Sequence, residues 1–342
     1  MDLDAIEVEI YRSVLFSLRA KCTFAERARI ADLFSELVSR QLPPTVFPPL
    51  EPWAAALSQS LGDDGCCTIQ ALLSQDQAAE LRRHFDARPC FNAHVVDKSD
   101  GVPRRRGEGA ETFHYGSYPL ADILDAPYLL EVANHPQILA VAAKHLGCIP
   151  TLYSLNAWWS FGGHGKAAPE SQTFHRDMDD FRFCTLFIYL TDVGQEGGPH
   201  MFVRRSHRQD LIASYLADSE AFRRLPEAMR AGIDSEGFFN DGGYGLDPVI
   251  ETVLAPLIAT LTGPAGTGIL ANTTAFHKGL PPSHGDRLIF WSRYGIHRAN
   301  GRSTDAQDWS RIGDRLPKTD LLRYVNRVIL RSTAAAAVFA SQ

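Results

Sequence analysis

Two short segments of this chain bring together residue types that could hold a metal. In TFHRDMDDF (173–181), His175 and Asp177 stand two apart. On extended backbone, residues i and i+2 point to one face, so an imidazole and a carboxylate are presented side by side. Alone this pair is a weak signal, since a solvated strand end can carry it too. In ILANTTAFHKGLPPSHGDRLIFWSRY (269–294), His277 ends a strand-like run, a Pro-rich turn follows, and Arg287 opens the next apolar strand ten positions later. Two imidazoles and one carboxylate leave open positions on a metal, and nitrogen and oxygen donors without thiolate suit Fe(II). Arg287 in an apolar strand requires an anionic partner, because an unpaired buried charge is expensive. Its planar fork matches a carboxylate with two parallel hydrogen bonds. That carboxylate is either an internal acid such as Asp286 or the far end of a dicarboxylate chelating the metal.

These residues need a scaffold, and the second half of the chain reads as one. LYSLNAWWS, FCTLFIYLTDV, HMFVRRS, GTGILAN and RLIFWSRYG are short, rich in β-formers and bounded by Gly, Pro, Asn or Asp. Several such strands predict a sandwich or barrel. Residues 207–262 interrupt them with helical material, AFRRLPEAMRAGI and PVIETVLAPLIATL, around the Gly- and aromatic-rich EGFFNDGGYGLD. Upstream, GDDGCCTIQALL reads as a turn and a short strand, and Ser74 caps a helix over SQDQAAELRRHFDA. Residues 4–40 read as helical, with Ile6, Ile10, Val14, Leu15 and Leu18 near i, i+4 spacing, until Pro43, Pro44, Pro48 and Pro49 break the pattern. The expected organisation is a helical extension (1–50), a main domain (51–330) and a tail (331–342).

Bulk properties narrow the function. A formal net charge of -6 gives no basic footprint for nucleic acid. No apolar run reaches the ~18–20 residues of a membrane span. The start, MDLDAIEVEIYRS, lacks the basic and apolar regions of a signal peptide. Six cysteines without CxxC spacing read as reduced thiols, so the expected compartment is the cytoplasm.

Three stretches, HRDMDDFRF, YLTDVGQEGGPHMFVRRSHR and TAFHKGLPPSHGDRLIF, together resemble the phytanoyl-CoA dioxygenase-like branch of the Fe(II)/2-oxoglutarate oxygenases. The resemblance runs from about residue 62 to about 298 and leaves out the N-terminal helices. It implies a mainly β fold with flanking helices: a double-stranded β-helix, or jelly-roll barrel, with iron at its open end. It implies His175, Asp177 and His277 as iron ligands and Arg287 as the anchor for the distal carboxylate of 2-oxoglutarate. Asn156 and Thr185 would add polar contacts to that co-substrate, and Ser160 falls where many relatives carry a Lys. Phe181 would border the pocket. The implied reaction consumes 2-oxoglutarate and O2, releases succinate and CO2, and oxidises a C–H bond of a small molecule. The expected assembly is a monomer or homodimer. The rival readings are a jelly-roll binding protein without catalysis, a halogenase, which would lack the carboxylate, and a zinc hydrolase on the same three ligands. Substrate recognition is expected from residues 97–116 with Arg104 to Arg106, from the insert near 236–247 with Phe238, Phe239 and Tyr244, and from the N-terminal helices.

Overall fold

The computed structural model describes residues 22–41, 47–93, 102–163, 172–234, 247–297 and 306–331. The N-terminal pattern before residue 22, the aromatic stretch with Phe238, Phe239 and Tyr244, and the tail beyond 331 lie outside these residues. The predicted β-rich runs are strands. They are numbered here β1 (Cys66–Ile69), β2 (Phe91–Asn92), β3 (Tyr115–Ser117), β4 (Thr151–Ser160), β5 (Phe183–Tyr189), β6 (His200–Val203), β7 (Ile258–Leu261), β8 (Gly268–Ala271), β9 (His277–Gly279) and β10 (Arg287–Gly295).

Seven strands form one sheet in the order β1-β8-β5-β10-β4-β3-β2, and β7-β6-β9 form a second. Every pairing in the two sheets is antiparallel. An isolated bridge between His175 and His277 adds one more extended segment beside β9. The two sheets face each other across Phe187, Tyr189, Ile289 and Trp291 on one side and Phe202 on the other, which is the expected jelly-roll arrangement. Strand alternation assigns the roles. In β10, Ile289 and Trp291 point into the barrel, whereas Leu288 and Phe290 join the outer core under the helices. Both faces are covered, so the strand reads as one continuous apolar run.

Helices coat the outer faces. The helix Gln75–Asp86 starts at Ser74 through a capping box with Gln77, as its sequence predicts. The helix Phe24–Gln41 inserts Ala31 and Val38 into the outer core of the larger sheet, and Ser35 Oγ donates to Leu146 O at 2.7 Å. On the smaller sheet, Phe174, Val203 and Phe276 pack with Ile212, Leu216, Val249, Ile250 and Val253 from the helices between β6 and β7.

One expectation is corrected. The helical insert does not continue to 262. Its last helix ends at Val253, a short 3-10 turn spans Ala255–Leu257, and Ile258–Leu261 is β7, paired with β6. Pro256 removes a donor that a continuing helix would need, and the apolar residues after it complete the sheet.

Candidate metal centre

His175, Asp177 and His277 converge, with one ligand atom from each lying within 4.8 Å of the others. His175 Nε2 is 3.8 Å from Asp177 Oδ1, and His277 Nε2 is 3.7 Å from Asp177 Oδ2. The two rings lie 4.4 Å apart. Backbone pairing fixes them: His175 N donates to His277 O at 3.0 Å, and His277 N to His175 O at 2.9 Å. Asp177 N donates to Thr273 O at 2.8 Å. The His–x–Asp segment is therefore extended but is not the regular strand expected. His277 also opens β9 instead of ending the preceding run. β8 stops at Ala271, and the turn Ala275 N to Asn272 O re-aims the chain before His277.

The ring tautomers are fixed as well. Nδ1 of His175 lies 2.8 Å from Thr173 O, and Nδ1 of His277 lies 2.9 Å from Ala275 O. A carbonyl only accepts, so each Nδ1 carries the proton and each Nε2 turns a lone pair toward the shared space. Burial, and then the neighbouring His175, push His277 down to about 4, so its ring is neutral near pH 7. Burial works to raise the Asp177 carboxyl, but the Arg293 guanidinium and the two imidazoles outweigh it and hold the group at about 2. Two imidazoles that turn Nε2 inward and one carboxylate, all largely buried, fit a divalent metal such as Fe(II).

Arg293, on β10, was not anticipated from the sequence. It donates to Asp177 Oδ2 at 3.1 Å and also bonds Asp179. Asp179 in turn accepts from Tyr153 Oη at 3.3 Å.

Arg287 opens β10 as expected and is 2 % exposed. Its Nη2 donates to Ser160 Oγ at 3.0 Å and its Nη1 to Gly198 O. Gly198, in the acidic-Gly-Gly-Pro turn, has φ +75, and a Cβ there would sit 2.6 Å from Leu280 O, so this tight turn requires glycine. Among the described residues no carboxylate lies within ion-pair distance of Arg287, and its Nε has no partner. The adjacent Asp286 pairs with Arg106 at 3.0 Å, which rules out the internal salt bridge weighed above. A buried guanidinium without a counter-ion is what an anionic ligand would complete.

Arg287 lies close to the segment that carries His277. Gly279, two residues after His277, lies against Arg287, and a Cβ there would come 3.2 Å from Nη2. His200, on β6, faces the same interior. Burial, and then the nearby Arg287, hold its pKa well below the usual value, so it stays neutral beside the guanidinium. Tyr189 Oη lies 3.3 Å from His200 Nδ1 and accepts from His200 N at 3.0 Å.

The remaining expected contacts are sorted by strand register. Ser160 stands opposite Arg287, whereas Asn156 stands opposite Trp291, four residues farther along β4. Asn156 Nδ2 donates to Ser154 Oγ. Thr185 stands opposite Arg293, with its Oγ1 3.4 Å from Thr273 Oγ1. Thr185 thus neighbours the His-Asp-His cluster through Thr273, and Asn156 lies between the two arginines along the register; neither is paired with Arg287. Trp158 faces inward, stacked on Tyr115 at 4.5 Å and edge-on to Trp291 at 4.5 Å.

Two other expectations are corrected. Phe181 stacks on Phe34 of the N-terminal helix at 5.9 Å and belongs to the outer core. His297 is 4 % exposed, and its backbone N donates to Asp180 Oδ2 at 3.2 Å. Two of the three clustered arginines serve the scaffold. Arg104 donates to Thr112 Oγ1 at 2.9 Å, and Arg106 lies over Trp159 at 4.6 Å while pairing with Asp286.

Comparison with known proteins agrees with this geometry at the level of family. The family model described as Phytanoyl-CoA dioxygenase (PhyH) matches residues 61–240. Among solved structures, the chain is similar to the epimerase SnoN in complex with Fe3+, alpha ketoglutarate and nogalamycin RO (18% identity, 78% of this chain, 91% of that one, TM-score 0.46). It is also similar to HygX from Streptomyces hygroscopicus with nickel and 2-oxoglutarate bound (16% identity, 81% of this chain, 96% of that one, TM-score 0.42). Among curated proteins, none matches the chain in sequence.

Proposed function

The chain belongs to the phytanoyl-CoA dioxygenase (PhyH) family of iron- and 2-oxoglutarate-dependent oxygenases, and we propose that His175, Asp177 and His277 are its iron ligands and Arg287 its 2-oxoglutarate anchor. The observation that carries this reading is the convergence of two buried groups on one wall of the barrel. One is a His-Asp-His cluster whose Nε2 lone pairs converge. The other is a guanidinium with no acid in ion-pair range among the described residues, lying against Gly279, two residues along β9 from His277. Iron supplies the site that activates O2 together with the keto acid of 2-oxoglutarate. The chain supplies the rest. Arg287, with Ser160 beside it, holds the distal carboxylate, and neutral His200 adds no competing charge. Thr185, Thr273 and Asn156 are the polar groups left near the reacting end.

The substrate is a small organic molecule whose C–H bond is oxidised. With Arg104 and Arg106 committed to the scaffold, its recognition falls to other groups, such as the half-buried Asn156 and Trp158 on the inner face of β4. We take the protein as a monomer or homodimer. All six thiols are unpaired, which fits the reducing cytoplasm, and no described helix is long and apolar enough to cross a membrane. The test is to load the anaerobic protein with Fe(II) and 2-oxoglutarate, admit O2 and follow succinate, leaving out each of the three in turn, with and without a panel of small metabolites. Succinate released only when all three are present, and faster with one panel member, is the expected result. Two bound metals, or turnover with zinc and no 2-oxoglutarate, would replace this reading with a hydrolase.

A further inference from the structure

The two metal-bearing segments are tied together at several points. The direct ties are the His175–His277 backbone bridge, Asp177 N donating to Thr273 O at 2.8 Å and Arg176 Nη1 donating to Thr274 O at 2.6 Å. A further tie runs through one carboxylate on the helix Asp247–Val253. Asp247 Oδ2 accepts from Phe174 N at 2.9 Å, and Asp247 Oδ1 accepts from Lys278 Nζ at 2.8 Å. Phe174 directly precedes His175, and Lys278 directly follows His277. Lys278 is only 5 % exposed, lies over the Phe174 ring at 4.3 Å, and has a second acid in Glu251 at 2.6 Å.

From this geometry we infer that Asp247 is a positioning residue for the metal centre: its carboxylate clamps the neighbours of both histidine ligands from the outer face of the smaller sheet. The inference rests on the metal reading given above. Its physical basis is leverage. Side chains alternate across an extended segment, so a residue flanking an inward ligand points outward, and fixing it fixes the backbone from which the ligand projects. The bridge at His175 and His277 is an isolated pair, supported by Asp177 N on Thr273 O and Arg176 Nη1 on Thr274 O, and Asp247 adds a hold on the backbone just before His175 and on the side chain just after His277. Charge-assisted bonds from a nearly buried ammonium to a carboxylate are stronger than neutral ones. This assigns a role to the insert between β6 and β7 that is independent of any substrate contact: its last helix braces the ligand pair.

The experiment uses Co(II) as a spectroscopic stand-in for iron, titrated into the full chain while its visible absorption is followed, with the melting temperature of each metal-free protein recorded. Asp247→Ala removes both contacts and is expected to weaken Co(II) binding about tenfold or more, the effect typical of groups that orient ligands from outside, and to change the band shape. Asp247→Asn keeps an acceptor for Phe174 N and is expected to recover part of that loss. Glu251→Gln touches the same lysine but neither ligand segment through its backbone, and is expected to stay within about twofold of the parent, as half-exposed pairs do. Should Asp247→Ala fail to fold, Lys278→Met tests the other half of the clamp and is expected to shift binding and band shape in the same direction. Parent-like Co(II) affinity and spectrum in Asp247→Ala or Lys278→Met, with only the melting temperature lowered, would overturn the inference. A parent protein that takes up no Co(II) would overturn the metal reading itself, and the clamp with it.

Discussion

Arg293 donates through Nη2 to Oδ2 of Asp177 at 3.1 Å, so one oxygen of the carboxylate between the two imidazoles is oriented by a cation across the barrel. The same guanidinium bonds Asp179, two residues on, and thereby holds the segment after the His–x–Asp pair against β10. Carboxylate ligands are commonly held by such outer contacts, which set their direction and basicity.

Arg293→Gln should therefore weaken Fe(II) binding roughly tenfold while leaving the 2-oxoglutarate affinity of the iron-loaded protein close to that of the parent. Arg293→Lys should recover only part, because an ammonium cannot bridge two carboxylates with a planar fork. Isothermal titration of Fe(II) under anaerobic conditions measures it. Unchanged iron affinity in the Gln variant would make Arg293 a purely structural partner of Asp179.

Substituting Ala for His175, Asp177 or His277 should abolish turnover and lower the iron content of the purified protein. The barrel should persist, since these side chains face the interior space and contribute little to the apolar clusters. Iron analysis and a melting curve decide each case. A variant that keeps full iron and full activity removes that residue from the ligand set.

Arg287→Ala should raise the apparent Kd for 2-oxoglutarate steeply. A desolvated charge-assisted contact is worth on the order of 2–4 kcal/mol when one partner is removed. That corresponds to roughly 30- to 1,000-fold in affinity. Arg287→Lys should restore part of the loss, and iron binding should hardly change. The readout is the charge-transfer band formed when 2-oxoglutarate is added to the anaerobic Fe(II) protein. Parent-like binding in the Ala variant would remove the co-substrate assignment of this arginine.

The metal-free protein should lose stability on mild acidification. Burial, followed by His175 in one case and Arg327 in the other, pushes His277 and His297 down to about 4. In the unfolded chain both titrate near 6.5, so between those values the unfolded state binds more protons and stability rises with pH. The contribution is complete above about pH 6.5 and is lost as pH falls toward 4, at most about 3 kcal/mol for each ring. The depressed Asp177 carboxyl acts only below that window, between its unfolded value near 3.9 and about 2. Calorimetric melting from pH 7.5 to 4 should show the decline, and His297→Gln should flatten it. A His297→Gln variant whose melting temperature falls as steeply with acidification as the parent's would contradict the buried, neutral state of that ring.

Much of this site is legible in the sequence because its signals are local. His175, Asp177, His277 and Arg287 stand out by type and spacing, and the strand runs by apolar residues between turn formers. What escapes is set by register and by distant segments. Arg293 is one of several residues in β10 until the pairing with β5 and β4 places it at the level of Asp177. Asp247 and Lys278 are 31 residues apart and meet only because a helix lies on the smaller sheet. IATL reads as helix because a short apolar run carries no periodicity of its own, and only its partner strand decides. The arginines at 104–106 resemble a substrate-facing cluster until Thr112, Asp286 and Trp159 are seen to occupy two of them.

Asp286 and Arg287 are consecutive, opposite in charge, and yet never paired, because the strand sends one to each side and Arg106 captures the acid outside. The larger sheet thus acts as a partition between two ionic systems. Changes on the outer side, such as trading Arg106 and Asp286 together, need not disturb the buried cation within. The interior arginine can in turn be replaced without rebuilding the outer pair. Selection can then act on the barrel's chemistry and on its surface as separate, heritable traits, although both are encoded in adjacent codons.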